Sequence, residues 1–318
     1  MWRTIVLVTL LGVNSQSTQC RVLAIGGGTE MGAYEAGVII GLINNLPAGE
    51  AQWDVVTGIG MGAVNAMIVG EYAKGQEALA AAKLSGFWGN FTYSQVYNDW
   101  VGGLITGLLE ESGLYNSAPL KKTLTKLAPS ALARWVNVGA SDLISGNYVA
   151  FNSTGQSLAN MITGALASAS EPGILPFVNY NKLQLVSGVL NFGIDILHGV
   201  NGCAKLGFSP SQTVIHAVMG AGRSLGTAGA AKFNTIQASL RYAEIAAFEL
   251  FEDAIENAGL DFPGVQIPYV IYPTQHLNRT LTPYDYTPSE LAEQLAVGQQ
   301  DAKNAVSKQM PFMRRARK

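Results

Sequence analysis

Residues 53–66 read WDVVTGIGMGAVNA, and this stretch decides how the fold of the whole chain is interpreted. Its apolar, β-branched first half stops at Gly58, and a run rich in methionine and alanine begins after Gly60. This change of composition predicts a strand, a very tight turn and a helix. Because Gly58 and Gly62 have no Cβ, the helix can leave the strand at a sharp angle.

This glycine spacing is typical of a nucleophile elbow, in which the pattern G-x-S-x-G raises a serine above the sheet. Gly58 and Gly62 occupy the outer glycine positions of that pattern, but the central residue is Gly60. An elbow strains the backbone of its central residue, and glycine relaxes that strain. The stretch therefore predicts an elbow that lacks its nucleophile.

The composition is that of a globular protein with a sizeable core. Apolar residues make up 48% of the 318 residues and charged residues only 13%, which excludes general disorder. The net charge of −2 provides no basic surface, so we expect no nucleic-acid partner. No repeat or long linker divides the sequence, so residues 20–318 are expected to form one domain with a basic C-terminal tail over 314–318. That tail is either solvated or a contact for anionic lipid or an acidic partner.

Residues 1–19 have the features of a secretory signal peptide. Arg3 supplies the positive start, and a nine-residue apolar core follows over residues 5–13. Nine residues are too few to cross a bilayer, and no later segment reaches about 18 uninterrupted apolar residues, so we predict no membrane span. The sequence thus indicates the secretory pathway, with the protein in the ER lumen, secreted or held peripherally on a membrane.

Other residues bear on this route. Asn90, Asn152 and Asn278 lie in glycosylation sequons, which fit a secreted glycoprotein. The two cysteines, Cys20 and Cys203, allow either one bridge or two free thiols. None of the three histidines has metal-ligand spacing with another ligand, so we predict neither a metal nor a cofactor.

Apolar, β-rich runs alternate with helical runs along the chain, which predicts an α/β fold. In this fold a mostly parallel central sheet is flanked by helices on both faces. The predicted strands cover residues 20–25, the start of the elbow, 133–140, 147–152, 183–190, 212–219 and 265–272. The predicted helices cover 33–46, the elbow to about 74, 78–88, 119–127, 158–167, 234–258 and 289–306. The glycine- and aromatic-rich segment 91–113 fits neither pattern, and it either covers the core or forms a lid that faces a membrane.

Four segments in this order resemble the patatin-like phospholipase family, over roughly residues 21–306. They are the glycine-rich run 27–37, the elbow 58–62, the segment LYNSAPL at 114–120 and the segment ASASEPGILPF at 167–177. The resemblance implies a three-layer sandwich related to that of the α/β-hydrolases. It also implies a lipid acyl hydrolase with a serine–aspartate dyad, whose oxyanion is held by backbone amides of the glycine loop.

The residues that carry this chemistry in the family do not match. The family's serine falls on Gly60, and its aspartate falls on Ser187, which has no basic form at neutral pH. The oxyanion loop falls on Gly27, Gly28 and Thr29, so its third glycine is lost. The next residues are also altered, because Glu30 adds a negative charge and Met31 replaces the family's usual basic residue.

The resemblance therefore implies a patatin-like pseudoenzyme. Such a protein would bind a lipid or fatty-acyl ligand, or act as a structural subunit with protein partners, with peripheral membrane contact in either role. The alternative is an active phospholipase or esterase with a displaced nucleophile, such as Ser224 in the sequence GRSLG, with His276 as base. A dinucleotide site at the glycine run is disfavoured because the run lacks the G-x-G-x-x-G spacing.

Overall fold

A mixed, mostly parallel sheet forms the centre of the computed structural model, which describes residues 18–28, 30–222, 233, 235–275, 277 and 287–308. Within these residues the sheet has eight strands in the order β5-β6-β3-β2-β1-β7-β8, with β4 paired to β3. They are β1 (Cys20–Ile25), β2 (Val55–Gly58), β3 (Trp135–Asp142), β4 (Tyr148–Asn152), β5 (Val178–Tyr180), β6 (Leu183–Ser187), β7 (Thr213–Val218) and β8 (Gln266–Ile271). The five strands from β3 to β8 in this order are parallel, and β4, β5 and β6 add antiparallel pairs.

Helices cover both faces of this sheet. They are α1 (Gly32–Asn45), α2 (Met61–Gly70), α3 (Glu77–Gly89), α4 (Gly103–Leu109), α5 (Ala118–Leu127), α6 (Leu158–Ser168), α7 (Ile196–Lys205), α8 (Thr235–Asp261) and α9 (Pro288–Lys308). Alternate residues of β1 enter two separate apolar clusters: Leu23 packs with α1 and α2, and Val22 packs with α7 and α8. The predicted α/β sandwich of three layers is therefore confirmed.

Most predicted elements are present with their ends shifted by a few residues, but three differ more. The elbow helix ends at Gly70 instead of near residue 74, and the strand predicted over 183–190 ends at Ser187. A 3₁₀ turn (Gly188–Leu190) follows that strand. Strand β5 has three residues, too few for a pattern to be recognised in the sequence.

Helix α7 was not predicted, because glycines interrupt its helical pattern. Those glycines allow close packing: a Cβ built on Gly199 would lie 2.7 Å from Val22 Cγ1, and one on Gly202 would lie 2.9 Å from Val55 Cγ1. Glycine costs about 1 kcal/mol in a helix interior, so its use here trades helix propensity for contact with the sheet. The helix begins with a side-chain cap, since Asp195 accepts a hydrogen bond from the His198 amide.

A disulfide joins the first strand to α7. Cys20 and Cys203 are both fully buried and bonded to each other. Of the two possibilities that the sequence allowed, the structure therefore has the disulfide instead of two free thiols. It links residues that are 183 positions apart in the sequence. In the described part of the chain, no helix is both long enough and apolar enough to cross a bilayer.

Candidate active site

The elbow keeps the backbone geometry that its glycines predicted. Gly60 joins β2 to α2 with φ +60° and ψ −135°, a conformation that residues with a Cβ rarely adopt. A Cβ built on Gly58 would lie 2.3 Å from the Gly62 carbonyl oxygen, and one built on Gly62 would lie 2.6 Å from the Gly26 carbonyl oxygen. The strand and helix can cross this closely only because both positions are glycine.

The surroundings of Gly60 are closed around the backbone. Its N–H donates a 3.0 Å hydrogen bond to the Oγ of Ser168, which is fully buried at the end of α6. A Cβ built on Gly60 would lie 3.1 Å from Gly27 Cα and 3.4 Å from Gly28 N. The glycine loop therefore lies directly against the elbow, at the position where a nucleophile would need its oxyanion donors.

The loop retains few amides for an oxyanion. Gly26 N–H donates to the Val218 carbonyl at 2.8 Å, and Gly27 N–H donates to the Gly193 carbonyl at 3.0 Å. The Gly28 N–H donates to no described residue, so it is the loop amide that could face a ligand oxygen beside the elbow. Thr29, predicted as the third member of the loop, lies outside the described residues.

Ser187 lies at the end of β6, next to the same turn that contacts the elbow. It pairs with Ala140 of β3, and its N–H donates to the carbonyl of Ser170, two residues after Ser168. Its side chain is 1% exposed, and its Oγ has no hydrogen-bond partner among the described residues. The position that the resemblance assigns to the family's proton acceptor thus holds a buried hydroxyl with no hydrogen-bond partner among the described residues.

Val189 packs against the glycine loop, a contact that was not predicted from the sequence. Its Cγ2 lies so close to the glycine loop that a Cβ built on Gly27 would be only 2.2 Å from it. Ile59 packs on the same side of Gly27. These side chains surround the glycine loop with apolar groups next to the 3₁₀ turn that follows Ser187.

Comparisons with known proteins agree with this geometry. The family model described as patatin-like phospholipase matches residues 23–198, more than half of the chain. The chain belongs to this family. The crystal structure of VipD from Legionella pneumophila is a distant structural neighbour, with a TM-score of 0.40 and 11% identity over 92% of this chain and 67% of that one. A search of curated proteins gave no significant match.

Glu35 on α1 is one of two buried carboxyl groups that could act as a base in place of the family's aspartate. It is fully buried, and its Oε2 accepts a 3.1 Å hydrogen bond from Asn65 Nδ2, while Oε1 has no partner in the described structure. Burial raises the pKa of Glu35 well above its ordinary value, and the hydrogen bond from Asn65 offsets this only in part. The raised pKa favours the protonated form, whereas only the deprotonated form could accept a proton.

The second is Asp195, which is fully buried on the α7 face of the sheet. Its two oxygens accept hydrogen bonds from Asn137 Nδ2 at 2.8 Å, the Tyr148 hydroxyl at 2.7 Å, and the backbone N–H and Nδ1 of His198 at 3.0 and 2.9 Å. Burial lowers the pKa of His198, but the hydrogen bond and charge of Asp195 outweigh burial and raise it. Asp195 holds β3, β4 and α7 together, and its acceptor positions are occupied.

The remaining predicted sites have separate locations. Asn90 is exposed at the end of α3, and Asn152 is partly buried with its Oδ1 accepting from Gly155 N–H at 2.8 Å. Asn278, Ser224 and His276 lie outside the described residues. The glycosylation sites and the displaced nucleophile therefore remain sequence predictions.

The backbone of the elbow predicts the effect of restoring its serine. Gly60→Ser should lower the free energy of unfolding by about 1–3 kcal/mol, because φ +60° strains any residue with a Cβ and Gly27 is already close. Urea unfolding measures this change. Gly86→Ser is the matched control, since this exposed helical position has open space for a Cβ and should change stability by less than about 0.5 kcal/mol. Equal stability of the Gly60→Ser protein and the parent would contradict the strained geometry.

Glu35 predicts a pH dependence of stability. Its pKa is raised in the folded protein, so the unfolded chain releases this proton first as the pH rises. The contribution of Glu35 to the free energy of unfolding is therefore fully present below about pH 4.3, the pKa of a glutamate in the unfolded chain. It is lost as the pH rises through the higher pKa that Glu35 has in the folded protein. Glu35→Gln should be more stable than the parent at pH 8 and similar to it at pH 4, measured by urea unfolding at both pH values. The exposed control Glu293→Gln should match the parent at both pH values. A Glu35→Gln protein that is less stable than the parent at pH 8 would contradict a raised pKa of Glu35.

Proposed function

We propose that this protein is a patatin-like pseudoenzyme that binds lipid without cleaving its ester bonds. The observation that carries this proposal is the pairing of an elbow conformation at Gly60 with a buried hydroxyl at Ser187 that has no hydrogen-bond partner among the described residues. The scaffold of an acyl hydrolase is kept, while the attacking oxygen and the carboxylate that would activate it are both missing from their family positions.

Ester cleavage by this family's route needs a nucleophilic oxygen and a nearby group that accepts its proton. Loss of the nucleophile alone typically lowers the rate by about 10⁶-fold. Ser187 has no basic form at neutral pH, burial raises the pKa of Glu35 and so favours its protonated form, and the oxygens of Asp195 already accept hydrogen bonds. The Gly28 amide, which donates to no described residue, could hold a carbonyl oxygen of a ligand, which would position an ester without attacking it.

Binding of a lipid is supported by the membership of the patatin-like phospholipase family. A small apolar crevice lies between α2, α5 and α6, lined by Met67, Ile68, Leu124, Leu127, Ala128, Pro129, Ile162 and Ala165. It is too small to hold an acyl chain and adds no support for lipid binding. Use of the domain as a structural subunit with a protein partner would need no change in this geometry.

The disulfide supports the secretory route that the N-terminal segment predicted. Bridges form and persist in oxidising compartments and are rare in the cytosol. The Cys20–Cys203 bond lies in the core, where both sulfur atoms are shielded from solvent. We propose that the mature protein starts near Cys20, with residues 1–19 acting as its signal peptide.

An ester assay tests the pseudoenzyme proposal. With p-nitrophenyl butyrate the parent protein should give no turnover above buffer, and Gly60→Ser alone should not change this, because Ser187 supplies no base. The double variant Gly60→Ser with Ser187→Asp should gain weak turnover if the Gly28 amide still serves an oxyanion.

Gly60→Ala with Ser187→Asp is the matched control, since it has the carboxylate but no hydroxyl and should stay inactive. Robust turnover by the parent protein would contradict the proposal and would favour a displaced nucleophile such as Ser224.

A further inference from the structure

Helix α4 has its large apolar side chains on the solvent side instead of the core side. The side chain of Val101, just before the helix, also points to solvent. The exposed fractions are 99% for Val101, 52% for Leu104, 72% for Ile105, 70% for Leu108 and 75% for Leu109. At 100° per residue Leu104, Ile105, Leu108 and Leu109 share one side of the helix. These four side chains and that of Val101, which precedes the helix, are called the α4 face below. A water-facing helix normally places such residues against the core, so this face is adapted to another environment.

The other side of α4 packs against the protein through small residues. Gly107 is buried, and a Cβ built there would lie 2.3 Å from the Leu114 carbonyl oxygen. The packed side of α4 carries glycine and threonine, which leave little space between the helix and the Leu114 backbone. If the leucines turned inward, the helix would have to move away from that backbone. The exposure of the α4 face is therefore built into the local packing.

Hydrogen bonds hold this region next to the candidate site. Trp100 Nε1 donates to the Gly113 carbonyl at 3.0 Å, which closes the loop that carries α4. Leu114 N–H then donates to the Gly173 carbonyl, and Tyr115 N–H donates to the Ile174 carbonyl. Residues 173–174 continue the turn whose Ser168 and Ser170 contact Gly60 and Ser187. The α4 face is thus anchored to the turn that lines the elbow.

The charged residues that flank the α4 face in the sequence have one sign. Asp99, Glu110 and Glu111 are exposed at its two ends, and the sequence has no lysine or arginine between Lys83 and Lys121. An acidic rim attracts quaternary or primary ammonium groups and repels an anionic surface. The combination of an apolar centre and an acidic rim complements a bilayer whose outermost groups are choline or ethanolamine.

We infer that the α4 face inserts into the surface of a zwitterionic phospholipid bilayer. This inference rests on the proposed lipid-binding function. It adds that the protein contacts the lipid in a bilayer. A stable protein interface uses about 20–30 residues on each side, whereas the α4 face has five, so a bilayer suits it better than a second copy. Acyl chains also need no complementary shape, since they accept any apolar side chain that reaches them.

Vesicle co-sedimentation tests the inference with the full protein and vesicles of phosphatidylcholine alone. The parent should bind, and Ile105→Ser with Leu108→Ser should lower the partition coefficient by about 100-fold, or about tenfold for each side chain. Ile144→Ser with Leu260→Ser is the matched control, because both residues are 67% exposed elsewhere on the surface, and it should bind like the parent. Thermal melts of both variants should match the parent, since all four positions are exposed.

Three results would overturn the inference. The first is no binding of the parent at millimolar lipid. The second is equal loss in the α4 variant and its control. Binding only to vesicles with added phosphatidylglycerol is a form of the first result, and it would indicate the basic tail. The third is a dimer in analytical ultracentrifugation that the α4 variant dissociates, which would make the face an interface between copies. The soluble-ester assay uses no vesicles, so failure of the pseudoenzyme proposal would be seen separately.

Discussion

The close crossing of the glycine loop and the elbow is the constraint on which the rest of the structure depends. Carbonyl oxygens of Gly26 and Gly62 approach positions where any other residue would place a Cβ. Strand β1, strand β2 and helix α2 can meet at one point only under this condition. Because α1 starts immediately after the loop, the same crossing also fixes the helix that carries Glu35. The scaffold therefore has a reason to keep these glycines whether or not the site performs chemistry.

Removal of the nucleophile releases strain at this crossing. A serine at the elbow would hold φ near +60° and would lie close to Gly27, whereas Gly60 adopts the same backbone without a side chain to accommodate. The bond from Gly60 N–H to Ser168 and the bond from Ser187 N–H to Ser170 keep the elbow, the turn and β6 together. The first of these bonds goes to the Ser168 side chain and the second joins two backbone groups, so neither depends on a side chain at position 60 or 187.

Local sequence patterns predicted the parts of the fold that depend on neighbouring residues. The β-branched runs gave the parallel strands, and the glycine spacing gave the elbow, because both signals act within a few residues. The surroundings of Glu35 could not be read from its own helix, since its hydrogen-bond partner Asn65 lies on α2 and is itself held by Trp88 on α3. The bridge between Cys20 and Cys203 was left open because residues distant in sequence are brought together by α7, which its glycines concealed. Segment 91–113 resisted assignment because α4 has its apolar residues on the solvent side, the reverse of the expected pattern.

The central claim is that this patatin-like domain contains no activated hydroxyl. Labelling of the full protein with a fluorophosphonate probe, followed by mass spectrometry of all serine-containing peptides, tests it most directly, because this reagent modifies a serine only when a base activates it. The account predicts no stoichiometric adduct on any serine under conditions that fully label an active serine hydrolase. A stoichiometric adduct, on Ser224 or on any other serine, would contradict it.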